Sequence, residues 1–182
     1  MKKFIKKIVE MNVIELYFIT LLCHFMWLFA VGKILHNYEI EFSQNVASSL
    51  RLFAVDFMDN FALDFVCTLL EEVIFRWGPM IIFFACFWVV VKIAKIDNEL
   101  MSKIKEYCIV IIVLVSSTIF GIVHGNVFNI LVQGVSGLIF FMFYLRALYR
   151  GKFKGKSDVC QIRPLISSTL YHMLSNYAFA LL

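Results

Sequence analysis

The sequence predicts an all-α protein: a polytopic transmembrane helix bundle of about five spans, with six possible. Three observations predict it. Of 182 residues, 62% are apolar and only 16% charged, against roughly 45–50% and 25% in soluble domains. The apolar residues fall into runs near the roughly 20 residues needed to cross a hydrocarbon core. Most of the 17 basic residues lie between those runs. A 21.2 kDa globule cannot hide so much apolar surface from water. The same composition excludes a disordered chain. Five cysteines, at 23, 67, 86, 108 and 160, make no disulfide framework and read as small hydrophobes or incidental thiols.

The first span covers about 13–35. The second is a long run, about 61–91, interrupted by Glu71, Glu72, Arg76 and Gly78-Pro79, a pair able to end or kink a helix. The third, fourth and fifth cover about 107–124, 127–149 and 165–182. Segment 47–60 alternates apolar residues with Arg51, Asp56 and Asp59. It reads as an interfacial amphipathic helix, or as a sixth span joined to 61–76. Residues 1–60 are thus an N-terminal anchor and interfacial segment, and 61–182 a helical core, within one structural domain.

Lys2, Lys3, Lys6 and Lys7 precede the first span. Lys92, Lys95, Lys103 and Lys105 separate the second from the third, and Arg146, Arg150, Lys152, Lys154, Lys156 and Arg163 separate the fourth from the fifth. Five spans put all three groups on one face, which the positive-inside rule makes cytoplasmic, with the N-terminus. The opposite loop carries Glu39, Glu41, Asp56 and Asp59. The opening MKKFIKK imitates a signal peptide, but Glu10, Glu15, the long apolar run and the missing small-residue cleavage pattern make it an uncleaved anchor. The net charge of +4 suits an anionic lipid surface. No aromatic–basic interleaving supports nucleic-acid binding.

Ionisable groups within spans are costly and mark functional sites by default. Here they form three groups. In Glu71-Glu72-Val73-Ile74-Phe75-Arg76, Glu72 and Arg76 stand four apart with the acid first, the order that favours an intrahelical pair. Glu71 lies about 100° round the helix from that pair, and a carboxylate left over in this way suits a general acid or base. The structural alternative is a helix end from which Glu and Arg both reach the interface. In Phe120-Gly121-Ile122-Val123-His124 the aromatic ring and the imidazole share a face; the histidine is either reactive or simply packed. In His172-Met173-Leu174-Ser175-Asn176, His172 and Asn176 share a face and call for a partner, a wet cavity or interhelical hydrogen bonds. Together, three helices supply a carboxylate and an imidazole to activate water, and an imidazole and an amide to hold an oxyanion. That set suffices for acyl hydrolysis without a covalent nucleophile.

In their order, EEVIFR (71–76), FGIVH (120–124) and HMLSN (172–176) resemble the CPBP family, also called ABI or type II CAAX proteases, with its EExxxR, FxxxH and HxxxN motifs. The passage VQGVSGLIFFMFYLRAL, with Gly134 and Gly137, and RPLISSTLYH before the third motif are similar to the family as well. The resemblance covers about 65–182. It implies an intramembrane, glutamate-dependent endopeptidase of a bacterial cell membrane. Glu71 and His124 would activate the attacking water, His172 and Asn176 would stabilise the oxyanion, and Glu72 with Arg76 would form the supporting pair. The implied substrate is a membrane-associated peptide or protein, in bacteriocin immunity, peptide maturation or CAAX-type processing.

Glu71, His124 and His172 also make a two-histidine, one-carboxylate set that could hold zinc with one position open. No HExxH is present, and Asn176 is a poor zinc ligand but a good oxyanion donor. The expectation is therefore no cofactor, with zinc as the alternative. Among weaker candidates, His24 reads as a packed histidine. Asp64 shares a face with Glu71 and either tunes the site or is structural. Asn126 and Asn129 either orient His124 or cap its helix, and Gly134 and Gly137 permit close helix packing. Two other functions compete: a non-enzymatic membrane immunity or adaptor protein, and a small proton-coupled transporter using Glu71 and the histidines. The transporter reading lacks an inverted repeat.

Overall fold

A computed structural model describes residues 10–37, 57–94, 98–125, 127–153 and 162–180. Every regular element among them is helical. Helix α1 (Val13–Asn37) starts where the Asn12 Oδ1 accepts the Ile14 N–H at 3.0 Å, the usual role of Asn at an N-cap. Helix α2 (Phe57–Glu72) passes through a π-helical turn (Val73–Trp77) into α3 (Gly78–Ala94), making one long rod. Helix α4 (Asn98–Val123) leads through a 3-10 turn (Val127–Ile130) to α5 (Gln133–Phe153), and α6 (Ile162–Ala180) follows. The bundle is a helical membrane architecture, and among the described residues four helical stretches are long and apolar enough to cross a bilayer: Val13–Ile34, Phe61–Ala94, Glu99–Val123 and Val127–Tyr149. Their outer faces are apolar, with Phe18, Leu22, Ile74, Trp88, Ile111 and Ile122 among the exposed side chains. Such a surface suits lipid rather than water.

The fifth rod, α6, is less apolar than the other four. Its Ser168, Thr169, His172 and Ser175 are buried against the bundle, so its polar groups point inward.

Gly78-Pro79 neither ends nor breaks the second rod. Pro79 has no N–H for the carbonyl four residues back. The chain widens by a π turn instead, with the Gly78 N–H on the Val73 carbonyl, and then continues. Single π turns of this kind often accompany functional sites.

Three boundaries differ from the sequence reading. Helix α4 begins at Asn98 rather than near 107; its first turns carry charge, and exposed Lys103 pairs with Glu99 at 2.8 Å along them. Helix α5 begins at Gln133 rather than 127, since the chain must first turn. Gly125 takes φ 151° there, a backbone open to glycine, and Asn129 caps α4 by donating to the His124 carbonyl at 2.9 Å. Asn126 lies outside the described residues. Of the expected interfacial segment 47–60, residues 57–60 belong to α2, so that end joins the motif helix directly; residues 47–56 lie outside the described residues, as do Lys2, Lys3, Lys6, Lys7, Lys154, Lys156 and Cys160.

Arg146 corrects the expected basic loop. It sits within α5, is only 5% exposed, and donates from Nη2 to the Met11 carbonyl at 2.6 Å. This contact brings the start of α1 beside the later part of α5. Further along α1, Thr20 meets the Tyr171 hydroxyl at 3.0 Å, His24 Nε2 meets Ser136 Oγ at 2.7 Å, and the Trp27 indole donates to the Leu131 carbonyl at 2.6 Å. His24 is thus a packed, hydrogen-bonded histidine. Cys23, Cys67, Cys86 and Cys108 are free thiols.

The core nearest the polar groups is aromatic: Phe120, Phe140, Phe143 and Tyr171 pack with Leu16. Small residues let the helices close around it. A Cβ on Gly137 would come within 3.0 Å of the Phe120 ring, and one on Gly134 within 3.2 Å of the Ser117 carbonyl. At Gly121 a Cβ would lie 2.7 Å from Ile130 Cα and 2.9 Å from the Asn129 carbonyl, both backbone atoms that cannot swing away. Gly121→Ala should therefore lower stability by about 2 kcal/mol, read as a fall in melting temperature in detergent micelles. Unchanged melting would contradict the close approach.

Candidate active site

Glu71 and Glu72 occupy the last turn of α2, and Arg76 lies in the π turn. The two carboxylates point different ways. Glu72 is fully buried, whereas the Glu71 side chain is 38% exposed. The buried carboxylate has two partners at Oε1. Arg76 Nη1 lies 2.9 Å from Glu72 Oε1, and His172 Nδ1 meets the same oxygen at 2.9 Å. A buried carboxylate without such partners would be prohibitive in apolar surroundings.

Aromatic rings enclose this pair. The Arg76 guanidinium sits 4.4 Å from the Phe120 centroid and 5.3 Å from that of Phe140, favourable cation–π distances. Phe140 stacks on the His172 ring at 4.0 Å, with 23° between planes, and Phe75 meets Phe120 edge-on at 5.2 Å. The His172 ring therefore has a flat apolar wall on one side and an acid at Nδ1.

The second imidazole is fixed in the same sense. His124 Nδ1 lies 2.6 Å from the Phe120 carbonyl. A carbonyl only accepts, so Nδ1 carries a proton, and in the neutral ring Nε2 then presents a lone pair. At His172, Nδ1 donates to the Glu72 carboxylate. Both rings then aim Nε2 at Glu71: His124 Nε2 is 3.9 Å from Oε1 and His172 Nε2 is 3.7 Å from Oε2. These separations exceed a direct hydrogen bond, which ends near 3.2 Å, yet one water can bridge groups so spaced.

Five of the six expected residues, Glu71, Glu72, Arg76, His124 and His172, thus meet in one cluster drawn from α2, the π turn, the end of α4 and the middle of α6. Asn176 is placed beside it, one turn along α6 from His172 and half-buried. Among the described residues its amide has no hydrogen-bond partner. Asp64 is not in the cluster; it accepts from the Tyr177 hydroxyl at 3.3 Å, tying α2 to α6. Among the described residues, no group of three or more His, Cys, Asp or Glu is arranged to hold a metal ion.

Sequence reasoning missed two contributors. Phe140, the wall of His172, is one phenylalanine among 20 and carries no local signal. Ser116 donates to the Phe75 carbonyl in the π turn. It was visible in principle, since Ser116, Phe120 and His124 repeat every four residues along one face of α4. No protein-family model, curated protein or solved structure matches the chain.

Proposed function

We propose that the protein is an intramembrane endopeptidase of the CPBP type, in which Glu71 activates water to hydrolyse a peptide bond of a membrane-associated peptide or protein. One observation carries the reading: the Glu71 carboxylate lies between the Nε2 atoms of His124 and His172, 3.9 and 3.7 Å away, and each ring is held from its Nδ1 side. In this mechanism a water donates one hydrogen bond to the Glu71 carboxylate and another to the His124 Nε2 lone pair. Glu71 takes a proton as the water oxygen bonds to the carbonyl carbon. The resulting oxyanion accepts from the Asn176 amide and from His172 Nε2–H. For Nε2 to donate while Nδ1 binds Glu72, the His172 ring carries both protons. Glu71, Glu72, Arg76 and His172 then sum to zero formal charge, the balance a low-dielectric bundle favours. The intermediate collapses by breaking the C–N bond, and the proton on Glu71 passes to the leaving amine.

We place this chemistry in a bacterial cell membrane, in a multi-pass chain with its N-terminus in the cytoplasm. Bacteriocin immunity, peptide maturation and CAAX-type processing are the physiological settings that fit. The buried Glu72–Arg76–His172 arrangement favours catalysis over a binding or transport role, because neither of those needs an imidazole oriented by a second acid.

The test is hydrolysis itself. Purified protein in liposomes, given a pool of single-span peptides in water enriched in oxygen-18, should release fragments with one heavy oxygen in each new carboxyl group. Glu71→Gln should release none. Cleavage should persist in excess EDTA; loss in EDTA with recovery on added zinc would instead assign Glu71, His124 and His172 to a metal. Absence of cleavage by the unaltered protein would overturn the reading.

A further inference from the structure

The π turn that carries Arg76 has a carbonyl with no helical donor at the ordinary spacing. Pro79 is four residues after Phe75 and lacks an N–H, and the preceding N–H, that of Gly78, is taken by Val73 in the widened register. The Ser116 hydroxyl of α4 donates to the Phe75 carbonyl instead. Ser116 is only 7% exposed, so water cannot readily replace it.

The same face of α4 makes the next two contacts with this rod. Phe120, one turn on, lies under the Arg76 guanidinium and against Phe75. His124, one further turn on, faces Glu71 at 3.9 Å. Phe75 is itself one turn from Glu71. The hydrogen bond therefore joins α4 to the acid-bearing rod two turns from His124 and one turn from Glu71. Ring contacts permit small slides, whereas a hydroxyl–carbonyl bond is directional. Resting on the hydrolase reading above, we infer that Ser116 is a positioning residue, which sets the spacing of Glu71 and His124 through the Phe75 carbonyl.

The test compares Ser116→Ala and Ser116→Thr with the unaltered protein on the fastest-cleaved peptide of the pool, well below the melting temperature. Misplacing reacting groups by about an ångström can cost a hundredfold in rate, so Ser116→Ala should lower kcat about tenfold or more, with KM within about twofold. Ser116→Thr keeps the hydroxyl and should restore kcat. A full kcat in Ser116→Ala would overturn the inference, and so would a loss that follows only the loss of folded protein and is not restored by Thr. If the unaltered protein cuts and Glu71→Gln does not, a fully active Ser116→Ala removes this inference alone. If the unaltered protein cuts no peptide, the hydrolase reading fails and the inference with it.

Discussion

Glu71→Gln should lower the rate of peptide hydrolysis by about a thousandfold or more, the upper part of the range expected for loss of a general base, while leaving the protein folded. The two halves of this expectation come from the same geometry. Glu71 is the more exposed member of the acid pair, at 38% against 0% for Glu72, so exchanging its carboxylate for an amide leaves the buried Glu72–Arg76 pair in place. Its oxygens are the groups aimed at by both imidazoles, and an amide cannot take a proton from water at neutral pH. Rates measured with equal amounts of folded Glu71→Gln and unaltered protein check it. Hydrolysis within a factor of about ten of the unaltered rate would mean that another group is the base.

Arg76→Met should do the opposite, acting on stability first. It removes the cation 2.9 Å from a fully buried carboxylate. Breaking a buried pair by deleting one partner costs about 3–5 kcal/mol, and Glu72 would keep His172 and the Ser168 hydroxyl but lose its guanidinium. The loss should appear as a much lower melting temperature in micelles and a poor yield of folded protein. The double variant Glu72→Gln/Arg76→Met removes both charges and should recover most of that loss. It should not recover hydrolysis, because His172 then loses the anion that orients it and balances its charge. An Arg76→Met protein as stable as the unaltered one would show that the pair is not buried as described.

The five rods and the three polar motifs were legible because each depends on local sequence. Apolar runs mark helices, and four-residue spacing marks a face. The different surroundings of Glu71 and Glu72, one part-exposed and one buried and paired, were also legible, since adjacent helical residues point about 100° apart. The meeting of the three motifs in one place follows from combining them, but the geometry of that meeting was not legible. Read linearly, His124 ends its helix while His172 lies mid-helix, so the two seem to sit at different depths. The structure nevertheless brings both rings to Glu71, with His124 Nε2 at 3.9 Å and His172 Nε2 at 3.7 Å. The early start of α4 at Asn98 was not legible from hydropathy, because residues 98–106 carry charge, as in the exposed pair Glu99–Lys103. The π turn was equally hidden. Pro79 signalled a disturbance, but whether the chain breaks, kinks or widens depends on what can satisfy the freed carbonyl, and Ser116 is 41 positions away. Arg146 was misplaced for a similar reason: its partner, the Met11 carbonyl, is 135 positions distant.

Helix α6 bears on how the protein is made. Its buried serines, threonine and histidine are welcome only inside a finished bundle, and the remaining apolar content gives it little affinity for lipid alone. It follows the other rods in the chain, so by the time it emerges from the ribosome its hosts α2 and α5 have already been delivered to the bilayer. Its entry is then an act of assembly more than of partitioning, and the helix that joins after its hosts is the one that sets an imidazole beside Glu72 and Glu71.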